Sequence, residues 1–348
     1  MERLDTNSSK VQDHCQLSEK YKQIYLSLTY SLIFILGLPL NGIVLWLSLH
    51  QTKPWSCTTI YLVNLMVADL LYLLTLPFFV VTYILEDIWP FGELLCRVMR
   101  FLFYTNHYGT ILLLTCISVH RFLGVCHPLR SLPYRTLKYA RLGAATAWTL
   151  VVLQLLPTLA FSHTDYINGK MICYDMTSPE MFDQYYAYSM VLMLSGFVFP
   201  SLVILVCYFQ MIKSLTKPQE NLTRTGNMAQ AKSIQTKSIR TILLVCGLFI
   251  LCFAPFHITR SFYLTTRILN SQDCQLLMAA SVAHKVWRPL VSMNSCLNPV
   301  LFFLSGGNNR VRLLQKLRQK KMDDQAGATG GVPRFWAIWV LPRQSVEK

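Results

Sequence analysis

The sequence predicts an all-α membrane protein: a bundle of seven transmembrane helices followed by a short amphipathic eighth helix. Three observations carry this. Seven apolar runs, at about 25–49, 58–84, 95–120, 140–162, 186–213, 238–267 and 275–304, are each long enough to cross a hydrocarbon core of ~30 Å, which takes about 20 helical residues. Only 14% of the 348 residues are charged, against roughly 25% in an ordinary soluble chain. The cations also sort by loop. The connections after spans one, three and five and the C-terminal tail, with the adjoining span ends, hold 21 Lys and Arg, while the N-terminal segment and the other loops hold six. A large soluble protein with buried helices is the competing reading, and seven such runs weigh heavily against it.

Positive charge stays with the cytosol, so residues 1–24 form an outer N-terminal tail, 25–304 the bundle, and 305–348 a cytoplasmic amphipathic helix and tail. An odd number of spans agrees. The net charge of +15 is then a topology signal, with no soluble basic domain to carry nucleic-acid binding. No cleavable signal peptide is expected in the polar first residues, so span one, "YSLIFILGLPLNGIVLWLSL", acts as its own insertion signal. Span two carries Asp69 in "LMVADLL", and span three opens with Cys96. Span six reads "TILLVCGLFILCFAPF", and span seven ends in "NPVLF". Beyond it, "NNRVRLLQKLRQKK" sets leucines at helical spacing among cations, the pattern of a helix lying on the inner leaflet with membrane lipid as its partner. Asn7-Ser8-Ser9 is an outer acceptor for N-linked sugar; Asn221-Leu222-Thr223 matches too but is cytosolic. Cys15, Cys96, Cys173 and Cys274 fall on the outer side, where three pairings are open and spacing does not choose among them.

Six ionised groups lie within the spans: Asp69, Arg97, Arg100, Arg260, Lys285 and Arg288. Such groups are costly in lipid and face the bundle interior or a wet cavity. Arg260 lies about seven residues, or ~10 Å, below the outer end of span six. Lys285 and Arg288 lie in the outer half of span seven, and all five cations sit in the outer half with no acid of the spans at that level. His257/Arg260 and Lys285/Arg288 are i,i+3 pairs, each on one helix face, with Tyr104, Tyr108 and Tyr263 nearby. A cation near a helix end can snorkel to the headgroups, which accounts for Arg97 and poorly for Lys285 and Arg288. A cation cluster with aromatic walls, open to the outside, suits a polyanion such as a phosphorylated ligand. Twelve of the 17 acids lie in the outer loops and N-terminal tail. Among them, Asp175 is placed to pair with the cations while the site is empty.

Seven spans with the cytosolic "HRFLGVCHPL" resemble a class A (rhodopsin-like) G-protein-coupled receptor. The landmarks run in order: Asn41, Asp69, Cys96, Arg121 at the end of span three, Trp148, Pro200 and Tyr208, "CFAP" and "NPVLF". Within the class, "FHITR", "KVWRP", "WPFGELLCRVMRFLFYTN" and "CISVHRFLGVCHPL" are similar to the metabotropic nucleotide receptors, the purinoceptors. The resemblance implies the bridges Cys96–Cys173 and Cys15–Cys274. It implies that Arg100, Tyr104, His257, Arg260, Lys285 and Arg288 contact the nucleotide (UTP, UDP, ATP or ADP), with Tyr108 and Tyr263 beside them and a slight lean to uridine. It further implies a heterotrimeric G protein at Arg121 and Tyr208, signalling through Gq, phospholipase C and calcium. Asp69 with Asn41, Thr110, Asn294 and Asn298 resembles the polar network that holds an allosteric sodium ion, a water-filled cluster being the other reading. No other cofactor is expected. Two departures from the class stand out: His120 replaces the acid before Arg121, and Phe302 replaces the tyrosine of the span-seven motif.

No phosphate-binding glycine loop, His-x-x-x-His pair or credible triad points to an enzyme. An anion transporter would use the same cations, but seven spans without a visible repeat argue against it. A receptor for a dicarboxylate or an anionic lipid stays open on the residues alone.

Overall fold

The computed structural model describes residues 20–50, 54–167, 169–174, 176–216, 228–269 and 273–305, and the seven expected spans are seven helical segments in it. Span one is Lys20–His50. Span two is split into Cys57–Leu73 and Leu76–Ile84, because Pro77 lacks the N–H that would carry the ladder through. Span three is Glu93–Cys126, and span four is Leu137–Leu155 with a last turn at Thr158–Phe161. Span five runs Phe182–Met193, a π-helical turn at Leu194–Val198, then Phe199–Thr216. Spans six and seven are Met228–Leu269 and Cys274–Ser305. The amphipathic eighth helix, Asn7, Cys15 and Asp175 lie outside the described residues.

The burial pattern is that of helices in lipid. On span one Leu26, Tyr30 and Ile33 are buried while Ile24, Leu28, Leu32 and Ile35 are exposed. A helix apolar on both faces has no aqueous side. Among the described residues, five segments, Glu93–Cys126 one of them, combine the length and apolarity to cross a membrane. Span seven, at 32 residues, has the length, and its lower apolarity follows from Lys285, Arg288, Asn294 and Asn298. Several hydroxyls on the spans bond to carbonyls of their own helix: Ser48 donates to that of Val44 at 2.7 Å and Thr115 to that of Ile111 at 2.8 Å. With no water to satisfy them, this is the available way to lower their cost.

Span three is the central post, in contact with spans two, four and five, and span seven packs against spans one, two and six. The outer loop between spans four and five forms an antiparallel hairpin of β1 (Thr164–Ile167) and β2 (Lys170–Cys173), paired from Thr164↔Cys173 to Ile167↔Lys170. A Cys96–Cys173 disulfide, Cα–Cα 5.8 Å, pins β2 to the top of span three, as the resemblance implied. The buried Trp89 adds a backbone hydrogen bond from its N–H to the Met171 carbonyl at 2.8 Å. Cys274 is disulfide-bonded as well; its implied partner Cys15 is outside the described residues. The hairpin therefore lies against the end of the bundle where span three begins.

Candidate functional site

Span three presents Arg100, Phe103, Tyr104, His107 and Tyr108 at helical spacing on one face, all buried. Arg100, 5% exposed, sets its guanidinium 5.1 Å from the Phe79 ring centroid and donates from Nη2 to the Cys173 carbonyl at 3.3 Å. The disulfide thus delivers a backbone acceptor to Arg100. Arg288 of span seven, 4% exposed, lies 4.6 Å from the Phe103 centroid. Arg260 of span six, 4% exposed, lies 4.9 Å from Tyr104. Phe79, Phe103 and Tyr104 are themselves in edge-on contact, at 6.3 Å and 5.1 Å. Three guanidiniums from three spans therefore share one aromatic platform, and desolvated cation–π contacts of this kind contribute about 2 kcal/mol each.

Arg260 is held by hydrogen bonds to spans three and five. Its Nη2 donates to the Tyr185 hydroxyl at 2.8 Å and to Ser189 Oγ at 3.4 Å, and its Nη1 donates to the Tyr108 hydroxyl at 3.2 Å. Its Nε has no hydrogen-bond partner among the described residues. The π-helical turn of span five explains how Tyr108 reaches it. A π turn inserts one residue and re-aims the side chains that follow. Here it stacks Phe197 on His257, centroids 4.2 Å apart and 14° from parallel, and turns Gly196 onto the Tyr108 ring. A Cβ at Gly196 would sit 2.6 Å from Tyr108 Cδ1, so only glycine admits this approach.

The remaining expected residues lie around this centre. His257 is buried with its ring 5.5 Å from that of Tyr108. Tyr263 stacks on His284 at 6.2 Å and 9°, and Lys285, half-buried, follows directly. Two expectations need correction. An acid does stand at the outer end of span three: the helix begins at Glu93, two residues earlier than the apolar run, because Gly92 with φ 79° turns the chain into it. Arg97 is also not snorkelling freely; it pairs with Glu93 and donates to the Leu159 carbonyl at 2.7 Å. Sequence reasoning passed over Tyr185, Ser189 and the Phe79/Phe103 platform. A tyrosine and a serine four residues apart at the outer end of span five were the signal available.

Deeper in the bundle Asp69 is fully buried and accepts three hydrogen bonds: from Asn106 Nδ2 at 2.9 Å, Ser295 Oγ at 2.9 Å and Asn298 Nδ2 at 2.8 Å. Asn41 donates to the Ser295 carbonyl at 2.7 Å. Asn41, Asp69 and Asn298 are thus brought together as expected, and Asn106 and Ser295 join them. Thr110 Oγ1 and Asn294 Nδ2 are buried without a hydrogen-bond partner among the described residues. At the far end of span three from the cations, Ser118 donates to the Tyr208 hydroxyl at 2.9 Å, tying span three to span five three residues before the half-buried Arg121.

Comparison with known proteins decides the family. Residues 40–302 match the 7 transmembrane receptor (rhodopsin family). Purinoceptor 4 of Rattus norvegicus is 40% identical over 345 residues, 99% of this chain and 92% of its own. Purinoceptor 2 of Homo sapiens is 44% identical over 292 residues, 84% of this chain and 76% of its own. The chain belongs to the purinoceptors of the rhodopsin family. This purinoceptor spans 59% of the length of the Xenopus laevis purinoceptor 4, to which it is 42% identical over 92% of its residues. The family is one of multi-pass plasma-membrane G-protein-coupled receptors and not of enzymes, in agreement with the expected fold class and with the reading of the motifs.

Proposed function

We propose that this purinoceptor is activated by an extracellular nucleotide, whose phosphates rest on Arg100, Arg260, Lys285 and Arg288. The observation that carries the reading is the convergence of three buried guanidiniums on one aromatic platform beside the disulfide-pinned hairpin. Phosphate oxygens accept from planar guanidiniums in pairs, and a site shielded from water strengthens each bond. Tyr104, Tyr108, His257 and Tyr263 supply faces and hydroxyls for the base and ribose. In this reading the N-terminus is outside and the C-terminus cytosolic, an orientation that the distribution of loop cations supports.

The ligand acts by binding one arrangement of the bundle better than the other. Phosphates bridging spans three, six and seven draw the outer ends together. Pro255 and Pro299, each inside its helix, give spans six and seven a place to bend. The cytosolic face near Arg121 and Tyr208 then opens to a heterotrimeric G protein, with Gq, phospholipase C and calcium release as the route and uridine nucleotides as the favoured ligands. The Asp69 cluster fits a small hard cation such as sodium: beside the carboxylate, Asn41 Oδ1, Thr110 Oγ1 and Asn298 Oδ1 are buried oxygens without a hydrogen bond from the described residues. Such an ion would supply the positive charge that the carboxylate otherwise lacks.

The test is intracellular calcium in cells without nucleotide receptors of their own, expressing this chain and given UTP, UDP, ATP and ADP separately after apyrase treatment. A response to one nucleotide, strongest for a uridine form, is expected. Silence to all four at normal surface expression, with a response to a dicarboxylate, would reassign the ligand.

A further inference from the structure

The cytosolic halves of spans three and four leave a groove of about 360 Å³ on the outside of the bundle, away from the cation site. Its volume is within the roughly 300–1,000 Å³ of small-molecule sites. Ala147 is buried, Leu112, Thr115, Cys116 and Gly143 are half-buried, and Leu142 and Leu150, 59% and 45% exposed, stand at its rim. Thr115 spends its hydroxyl on the Ile111 carbonyl. The groove is apolar and opens where the neighbouring exposed side chains meet lipid. From Tyr139 to Leu150 it runs about 16 Å along span four, close to half of the ~30 Å hydrocarbon core. It is one leaflet deep.

Its cytosolic end is cationic. The stretch from His127 to Arg141 contains Arg130, Arg135, Lys138 and Arg141 and no acid. Lys138 and Arg141, three residues apart and both exposed, share a helix stripe beside that of Tyr139 and Leu142, which line the groove. We propose that the groove holds an acyl chain of an anionic phospholipid of the inner leaflet, whose headgroup rests on Lys138 and Arg141. The chain fills the apolar slot, and the phosphate and any further negative charge meet the two cations at the headgroup level. A sterol would offer that pair of cations only a neutral hydroxyl. The inference depends on the orientation proposed above and not on the identity of the extracellular ligand.

Native mass spectrometry of the full-length receptor, released from nanodiscs of equal phosphatidylcholine and phosphatidylserine, tests it. Phosphatidylserine adducts should be enriched by on the order of fivefold per cation. The enrichment should vanish in Lys138→Gln/Arg141→Gln and persist in Lys213→Gln, which removes an exposed cation at the cytosolic end of span five. Thr146→Phe, at an exposed lining position, leaves the cations in place and fills the slot, so it should also reduce the bound lipid. Equal retention of both lipids by the unaltered receptor would overturn the proposal. So would loss of the enrichment in Lys213→Gln alone, or full binding in Thr146→Phe, which would leave headgroup attraction without a groove. Every one of these side chains faces outward, so a folded receptor is expected in each case, and its melting temperature serves as the check.

Discussion

Gly196→Ala is a one-carbon change with a calculable consequence. The added Cβ would lie 2.6 Å from Tyr108 Cδ1 and 2.8 Å from Cε1. Ordinary carbon contacts begin at about 3.5 Å, so the ring must withdraw by about 1 Å. The tyrosine is 1% exposed and bounded by His257, so the shift carries its hydroxyl with it. The bond from Arg260 Nη1, already 3.2 Å, then passes beyond hydrogen-bonding distance. A hydrogen bond to a charged group contributes about 1.5–3 kcal/mol, so nucleotide potency in the calcium assay should fall by about 10- to 150-fold at unchanged surface expression. Tyr108→Phe removes the same bond without a clash and should lose a similar amount. Because both act through one contact, the double variant should be little worse than either. A shift below about twofold for Gly196→Ala, or full additivity of the two, would refute the argument that the π turn positions Arg260 through Tyr108.

Three further outcomes follow from the same geometry. Tyr185→Phe keeps the aromatic face but removes the 2.8 Å acceptor of Arg260, so potency should drop about tenfold; unchanged dose–response curves would mean that Arg260 leaves Tyr185 when ligand binds. Cys173→Ser frees β2 and the carbonyl that Arg100 reaches. Thermal melting of the purified receptor should fall by an amount equivalent to about 2–5 kcal/mol, with nucleotide response lost; a preserved response would separate the hairpin from the site. Asp69→Asn should abolish any difference in agonist affinity between sodium chloride and choline chloride, and a difference that persists in the variant would place the ion elsewhere.

Much of the fold was legible because lipid imposes a one-dimensional rule: length and apolarity alone mark a span. The cations were legible for a related reason, since Arg260 and Arg288 are conspicuous wherever a charge is costly. What holds them was not. Tyr185 and Ser189 reach Arg260 from another helix, and no period in the chain announces a contact across 71 or 75 residues. In the sequence the Phe79/Phe103 platform is indistinguishable from ordinary apolar filling. The π turn at Leu194–Val198 carries Ser195 and Gly196, which are common in ordinary helices of membrane proteins, and its effect is a rotation of side chains that composition does not announce. Span two reads as one run, although Pro77 is there to divide it. Asn106 and Ser295 were likewise missed as partners of Asp69, being polar residues among many on long helices.

The central claim is that the buried guanidiniums of spans three, six and seven receive the phosphates of a nucleotide. Equilibrium binding of labelled UTP to the purified receptor tests it most directly, with Arg260→Ala and Arg288→Ala as comparisons and melting temperature as the control for folding. The account predicts saturable binding that weakens at least tenfold in each folded variant and is displaced by the unlabelled triphosphate but not by uridine. Binding of equal strength in both variants, or displacement by uridine as effective as by UTP, would contradict it.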